Sequence, residues 1–359
     1  MQKLSIKLTH KKYPIYIENG LFKKAGSMLS EFLAEKKVII VTDSNLSSSY
    51  GNELLQSLRA DKIESEICII PAGEKSKSID VLTKLYNSFA GFGITRNDFV
   101  IALGGGVTGD LTGFAASTWL RGTGFIQIPT SLLSMVDSSI GGKVAINLQI
   151  GKNLVGSFYH PEVVLIDPVL LETIPNRYFA DGMAEVIKYG CIDGTELFDS
   201  LKNLKNRQST MKIIDSIIFR CCDIKRRIVE LDERESNIRM VLNFGHTIGH
   251  AIEKYFDYKK YTHGEAVSLG MVFIAELSHK LGYCNKDIPD RITILLKQSG
   301  LPVVIPEMEP KAVIDTVFVD KKARTNDINL ILIKDIGNVI IEKFPKDKIG
   351  GHIYEMLNN

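Results

Sequence analysis

Residues 4–17, "LSIKLTHKKYPIYI", alternate apolar and polar positions on either side of a lysine-rich turn. That two-residue period predicts a half-exposed hairpin. The pattern then changes to short, largely apolar runs: "KVIIVTD" (37–43), "ESEICII" (64–70), "DFVIALGGG" (98–106), "GFIQIPT" (124–130) and "VVLID" (163–167), most of them separated by segments of helical period. Apolar strands alternating with helices predict a mostly parallel sheet covered on both faces. Such sheets bind ligands beyond the carboxyl ends of their strands. After about residue 178 the strand signal nearly vanishes, and amphipathic stretches follow at 178–190, 210–232, 243–256, 264–281 and 286–299. "INLILI" and "NVIIEKF" near the end predict a small hairpin. The expected architecture is an α/β nucleotide-binding domain with a mostly parallel sheet over 1–177, then a mostly α-helical domain over 178–359, with the cleft between them as the natural site.

The composition adds exclusions. The chain has 359 residues, 45% hydrophobic and 24% charged, and a formal charge of +2. With no lysine or arginine run longer than three, there is no basic field to attract nucleic acid. Five cysteines without CxxC spacing predict neither a disulfide framework nor a cysteine zinc cage. The first ten residues carry no apolar stretch of signal-peptide length, and nowhere do about 18 apolar residues run together. A cytosolic protein without membrane segments is expected.

"ALGGGVTGD" ends a strand and opens a helix, with Gly104, Gly106 and Gly109 in the pattern G-x-G-x-x-G. Glycine there lets a pyrophosphate approach amides at a helix N-terminus, although a tight strand-to-helix turn needs the same residues. The acid normally found about 20 residues later is missing. An acid does close an earlier strand, Asp43, and "PAGEKSKS" after the next strand offers Glu74 and Lys77. Together these favour a dinucleotide.

"LNFGHTIGHAIE" places His246 and His250 one helical turn apart, His263 opens a further helix, and Glu185 lies on another with Lys188 three residues on. Three of these four ligand types suffice for a catalytic zinc with an open position, and spacing does not select the three. Histidines merely hydrogen-bonded at helix contacts would look the same. Asp137, Lys143, Lys152 and Asn153 occupy glycine-rich sequence that reads as loop, and Lys225, Glu235, Arg239 and Asn243 lead up to His246. Each alone is an ordinary solvated charge. Beside a metal and a dinucleotide they suggest a small polyanionic substrate, with arginine as a bidentate fork and lysine as a point charge.

Taken together, "PAGEKSKS", "ALGGGVTGDLTGF", "VDSSIGGK", "GKNLVGSF", "AEVIKYG", "LNFGHTIGHAIE", "HGEAVSLGM" and "DKK" resemble, in order and approximate spacing, the 3-dehydroquinate synthase family of the sugar-phosphate cyclases. The resemblance spans nearly the whole chain. It implies a lyase of the shikimate pathway that binds NAD tightly and uses a divalent metal, zinc or cobalt. The implied metal ligands are Glu185, His246 and His263. The implied NAD site takes Asp43, Glu74, Lys77, Gly106, Val107, Thr108, Gly109, Asp110, Thr130, Ser131, Lys143 and Thr173, with Lys152 at its boundary with substrate. Asp137, Lys152, Asn153, Lys188, Lys225, Arg239, Asn243 and His250 are the implied substrate shell. The resemblance also implies a homodimer in which Arg121 reaches a neighbouring subunit's site, and a phosphate contact from Lys321 or Lys322. The implied substrate is 3-deoxy-D-arabino-heptulosonate 7-phosphate. The family's common "PTTLL" is "PTSLL" here, and the frequent "F-x-QP" is "FYHP", which brings in His160. Rival readings are a metal-dependent polyol dehydrogenase of glycerol dehydrogenase type, a sister cyclase acting on another sugar phosphate, and a non-catalytic nucleotide-binding protein. A small neutral polyol would not need Lys152, Asn153, Lys225 and Arg239 together, and a non-catalytic protein would not keep the metal triad whole.

Overall fold

A computed structural model describes residues 1–320 and 326–358, so Lys321 and Lys322 lie outside the described residues. The chain divides into two compact units, Met1–Ile174 with Lys225–Glu233, and Pro175–Ile224 with Arg234–Asn359.

The first unit opens with the hairpin β1 (Gln2–Lys7) and β2 (Lys12–Ile17), as its alternation predicts. There follow α1 (Ala25–Leu33), β3 (Lys37–Asp43), α2 (Asn52–Ala60), β4 (Glu64–Ile70), α3 (Ile79–Phe92), β5 (Phe99–Gly104), α4 (Gly106–Thr118) and β6 (Gly124–Pro129). The unit continues with β7 (Lys143–Leu148), β8 (Gly151–Phe158) and β9 (Val163–Ile166). Seven strands form one sheet in the order β1-β2-β9-β6-β5-β3-β4, parallel except for the β1–β2 pair. The apolar runs are continuous because both faces are covered: Val38, Ile39, Ile40 and Val41 of β3 are all buried. On one face, Leu85 and Phe89 of α3 and Leu111 and Phe114 of α4 pack with Val100, Ala102 and Phe125. Each buried leucine, valine or phenylalanine among them contributes about 1.5–3 kcal/mol.

Register decides where the chemistry sits. Asp43 pairs with Ile70, Thr42 with Leu103 and Gly104 with Pro129, so four strands end level. The segments after them carry Glu74, Gly106 and Thr130, and the Thr130 amide donates to the Gly104 carbonyl at 3.0 Å.

One expectation is corrected. The segment read as loop folds between residues 143 and 158 into the two-stranded hairpin β7–β8. Its outer strand is mostly exposed, so it lacks the apolar run or clean alternation that marks the other strands.

The second unit is mainly helical: α5 (Asn176–Asp193), α6 (Thr195–Lys202), α7 (Arg207–Met211), α8 (Ile214–Leu231), α9 (His246–Tyr255), α10 (His263–Lys280), α11 (Asp287–Gln298) and α12 (Pro310–Asp320). The antiparallel hairpin β10 (Asp327–Asp335) and β11 (Asn338–Pro345) and then α13 (Lys346–Asn358) complete it. From Lys225 onward, α8 clusters with the first unit.

The start of α10 is fixed by a capping box, in which the Glu265 carboxylate accepts from the Thr262 amide at 2.9 Å. Arg177 of α5 clamps the same carboxylate through two hydrogen bonds of 2.8 and 2.7 Å. Helices α9 and α10 touch backbone to backbone: a Cβ on Gly270 would overlap the Gly245 carbonyl, and Gly245 itself has φ +79°. Gly264 meets α5 as closely, its amide donating to the Asp181 carboxylate at 2.5 Å.

Candidate active site

These close contacts bring one residue from each of α5, α9 and α10 together. One ligand atom from each of Glu185, His246 and His263 lies within 4.8 Å of the other two. His246 Nε2 stands 3.3 Å and His263 Nε2 3.5 Å from Glu185 Oε1. Glu185 is fully buried, and its Oε1 has no hydrogen-bond partner. Lys188, one turn on and also buried, forms an ion pair with its other oxygen. A buried carboxylate oxygen without a hydrogen bond, facing two imidazoles, is a set that a divalent cation would satisfy.

Each imidazole is turned by its outer nitrogen. His246 Nδ1 is 3.2 Å from the Phe244 carbonyl, and His263 Nδ1 is 3.6 Å from Glu253 Oε2. A carbonyl or carboxylate behind a ligand imidazole selects the tautomer that points Nε2 at a metal. Glu253 is buried, and sequence reasoning missed it, although it sits three residues past His250 on the same helix. Asp181, four residues before Glu185 on α5, was missed as well, and it anchors the first turn of α10. His250 lies across from both His246 and His263, its ring centroid 5.5 Å from that of His246 and 6.0 Å from that of His263.

The charges are uneven. Burial would raise the Glu185 carboxyl, but the Lys188 ammonium and the neighbouring imidazoles hold it well below the usual carboxylate range. Burial brings the His246 imidazole down to about 4 against the pull of Glu185. At His263 burial acts the same way, but the flanking Glu185 and Glu253 overcome it and push that imidazole up to about 10. Elsewhere in this unit Arg239 is buried, and Asn243 donates to Glu235 at 2.8 Å.

In the first unit, Gly106, Val107, Thr108 and Gly109 form the first turn of α4, which has no side-chain cap and no acidic residue. The N–H groups of Gly106, Val107 and Thr108 and the helix dipole therefore remain available for an anion, while the Gly109 N–H donates to the Gly105 carbonyl at 3.0 Å. A Cβ on Gly109 would lie 2.8 Å from the Gln127 side chain, so this glycine sets how closely α4 packs on the sheet. On Gly105 a Cβ would meet nothing nearer than Ser131 Oγ at 3.5 Å. Asp43 closes β3 and accepts from the Asn45 amide at 2.8 Å, while the Thr173 hydroxyl lies 3.0 Å from that of Tyr50.

The structure draws several expected residues into pairs. Lys77 is buried and bridges Asp110, at 2.6 Å, and the Asn153 carbonyl oxygen, at 2.5 Å. Burial raises the Asp110 carboxyl despite Lys77. Lys225 Nζ donates to both the carboxylate and the main-chain carbonyl of Asp137, at 2.8 and 2.7 Å. Lys143 opens β7, Lys152 lies at the start of β8, and Asn153 follows it with φ +55°. Arg121 is exposed in a turn where Leu120, Arg121 and Gly122 all have positive φ.

The chain is similar to known proteins along nearly its whole length. The chain is 47% identical over 343 residues to the 3-dehydroquinate synthase of Clostridium beijerinckii, covering 96% of this chain and 98% of that one. Among solved structures it resembles the 2-epi-5-epi-valiolone synthase of Streptomyces hygroscopicus subsp. jinggangensis with NAD+ and Zn2+ bound, at 26% identity, TM-score 0.89 and 98% coverage of each chain. It also resembles a 2-deoxy-scyllo-inosose synthase complexed with carbaglucose-6-phosphate, NAD+ and Co2+, at 25% identity and TM-score 0.88, covering 99% of this chain and 100% of that one. Family models for the N-terminal and C-terminal parts of 3-dehydroquinate synthase match residues 67–181 and 182–323, and the chain belongs to the 3-dehydroquinate synthase family.

Proposed function

We infer that the chain converts 3-deoxy-D-arabino-heptulosonate 7-phosphate to 3-dehydroquinate and inorganic phosphate, using NAD and a divalent metal ion. The observation that carries this reading is the buried Glu185–His246–His263 triad with Lys188 beside it, in a chain nearly half identical to a 3-dehydroquinate synthase. Between the main reading and a sister cyclase, the balance is set by 47% identity against 25–26%.

Glu185, His246 and His263 are the proposed metal ligands. The first turn of α4, with Asp43, Glu74, Lys77, Asp110, Thr130, Ser131, Lys143 and Thr173, is the proposed NAD site. When bound, NAD supplies a transient oxidation of the substrate's C5 alcohol, and the metal supplies Lewis acidity to its hydroxyl groups. NAD leaves the cycle unchanged, because product and phosphate together have the substrate's oxidation state.

The chain's own residues have a different task. Once C5 is a ketone, the neighbouring C6 proton is acidic. Phosphate leaves with the electron pair of its C–O bond and takes that proton. The protein therefore has to hold an anion in a site closed to water more than it has to supply a strong base. Lys152, Lys225 and Arg239 bring the cations, Asn153 and Asn243 bind hydroxyls, and Lys188 keeps Glu185 ionised. Asp137 orients Lys225 through the two hydrogen bonds above. His250 and Asn243 are the proposed proton relay.

The same reading assigns residues 1–177 to NAD and 178–359 to metal and substrate. It also makes the enzyme a cytoplasmic homodimer with Arg121 directed to the partner's site. No helix among the described residues is long and apolar enough to cross a membrane.

The test is phosphate release from the heptulosonate phosphate with sub-stoichiometric NAD, following reduced nicotinamide by absorbance and repeating after chelation. Many turnovers, no accumulating NADH and loss of activity with chelator are expected. NADH rising in step with substrate loss would identify a dehydrogenase.

A further inference from the structure

Hairpin β7–β8 is irregular where it matters. Ile146 pairs with Val155 and Leu148 with Gly151, so Lys152, Asn153 and Leu154 on the outer strand all lie opposite the single residue Asn147. Such an excursion re-aims side chains near functional sites. Here it carries Lys152 and Asn153, both in the proposed substrate shell, and puts Asn153 at φ +55°. Left-handed backbone is tolerated by asparagine but has to be held by its surroundings.

Asn147 supplies the hold. Its side-chain carbonyl accepts from the Asn153 amide at 2.9 Å, and its own amide N–H donates to the Lys77 carbonyl at 2.8 Å. Lys77 Nζ in turn donates to the Asn153 side-chain carbonyl, which closes a ring of three hydrogen bonds through Asn147, Asn153 and Lys77. The remaining donor of Asn147, its side-chain NH2, reaches the Glu74 carboxylate at 2.7 Å. Lys77 also pairs with Asp110 at 2.6 Å. One asparagine thus ties two residues proposed for the cofactor, Glu74 and Lys77, to one proposed for the substrate.

We propose that Asn147 is a positioning residue, which holds Asn153 in its left-handed conformation for the substrate and aligns Glu74 for the nicotinamide nucleotide. The proposal rests on the functional reading above. It has a chemical signature that general structural support lacks, because the two halves of the amide do different things. The carbonyl serves Asn153 and the NH2 serves Glu74.

Asn147→Asp keeps an acceptor for the Asn153 amide but loses the donor to Glu74 and sets a like charge against it. Asn147→Ala loses both. At about 1 kcal/mol for a net hydrogen bond, each loss is worth about fivefold. In Asn147→Ala, substrate KM and the NAD dissociation constant should both rise about fivefold with kcat within about twofold of wild type, and hydrogen exchange at the Asn153 amide should accelerate to a similar degree. In Asn147→Asp, Asn153 exchange and substrate KM should stay near wild type while NAD binding alone weakens.

The proposal is overturned if Asn147→Ala leaves Asn153 exchange and both constants at wild-type values. It is equally overturned if Asn147→Asp alters substrate KM and Asn153 exchange as much as Asn147→Ala does. If wild-type protein releases no phosphate, the functional reading fails, and Asn153 exchange in the two variants still decides the positioning claim.

Discussion

Glu185 and Lys188 form an ion pair with both side chains almost wholly out of water, at 0% and 2% relative exposure. Glu185→Gln is nearly isosteric, so it opens no cavity and removes only the charge. The metal-free variant then holds an ammonium in a low-dielectric interior opposite a neutral amide. Breaking a buried pair by removing one partner costs about 3–5 kcal/mol. An independent ceiling comes from the escape open to Lys188, which is to lose its proton. Neutralising a lysine of pKa about 10.4 at pH 7 costs about 4.6 kcal/mol at 1.36 kcal/mol per unit. The two figures agree, and at roughly 2–4 °C per kcal/mol they predict a fall in Tm of roughly 6–18 °C. Glu185→Gln combined with Lys188→Met removes both charges, and most of the loss should return, because a buried pair replaced by neutral groups is often neutral in stability. The assay is thermal unfolding of chelator-treated wild type, both single variants and the double variant, since bound metal would add its own stabilisation. A Glu185→Gln protein within about 1 kcal/mol of wild type, or a double variant no more stable than it, would refute the argument that this pair is electrostatically coupled.

Two further predictions rest on other residues. Glu253→Gln keeps the shape behind His263 but removes the carboxylate 3.6 Å from Nδ1; metal affinity should fall about 10–100-fold, read by competition with a chromogenic chelator, with the metal-free fold unchanged by circular dichroism. At His160, burial holds the imidazole below the usual histidine value despite Glu233, which lies 3.0 Å away. The unfolded chain therefore takes up this proton first, so the His160 contribution is complete above about pH 6.5 and is lost as pH falls below it. Stability of His160→Gln should accordingly fall less than that of wild type between about pH 7 and pH 5.

The parallel sheet was legible because its strands are buried on both faces, which leaves continuous apolar runs, and the five runs match β3, β4, β5, β6 and β9 within a residue or two. Hairpin β7–β8 was not, since an exposed outer strand carries no burial pattern for periodicity to detect. Helices α6, α7, α12 and α13 were missed as well: each is short and carries only a few buried positions, such as Leu197, Phe198 and Leu201 of α6, too few repeats for a 3.6-residue period to stand out. Spacing alone left four candidates for three metal positions. The proposed assignment prefers His246 to His250 because His246 Nε2 lies 3.3 Å from Glu185 Oε1, a distance set by how α5, α9 and α10 pack. No count along one helix contains the angle at which another crosses it.

Helix α5 shows where a stronger signal lay. Every residue from Gly182 to Ile192 is buried, so this segment is buried all round rather than amphipathic. In such a helix each charged residue has to be compensated, and Glu185 and Lys188 are the two charges in that segment. Lys188 compensates one oxygen of Glu185, while the other faces His246 and His263 without a hydrogen bond. A segment too apolar to tolerate a carboxylate that nonetheless carries one argues for a cation at that position more directly than the spacing of the histidines does.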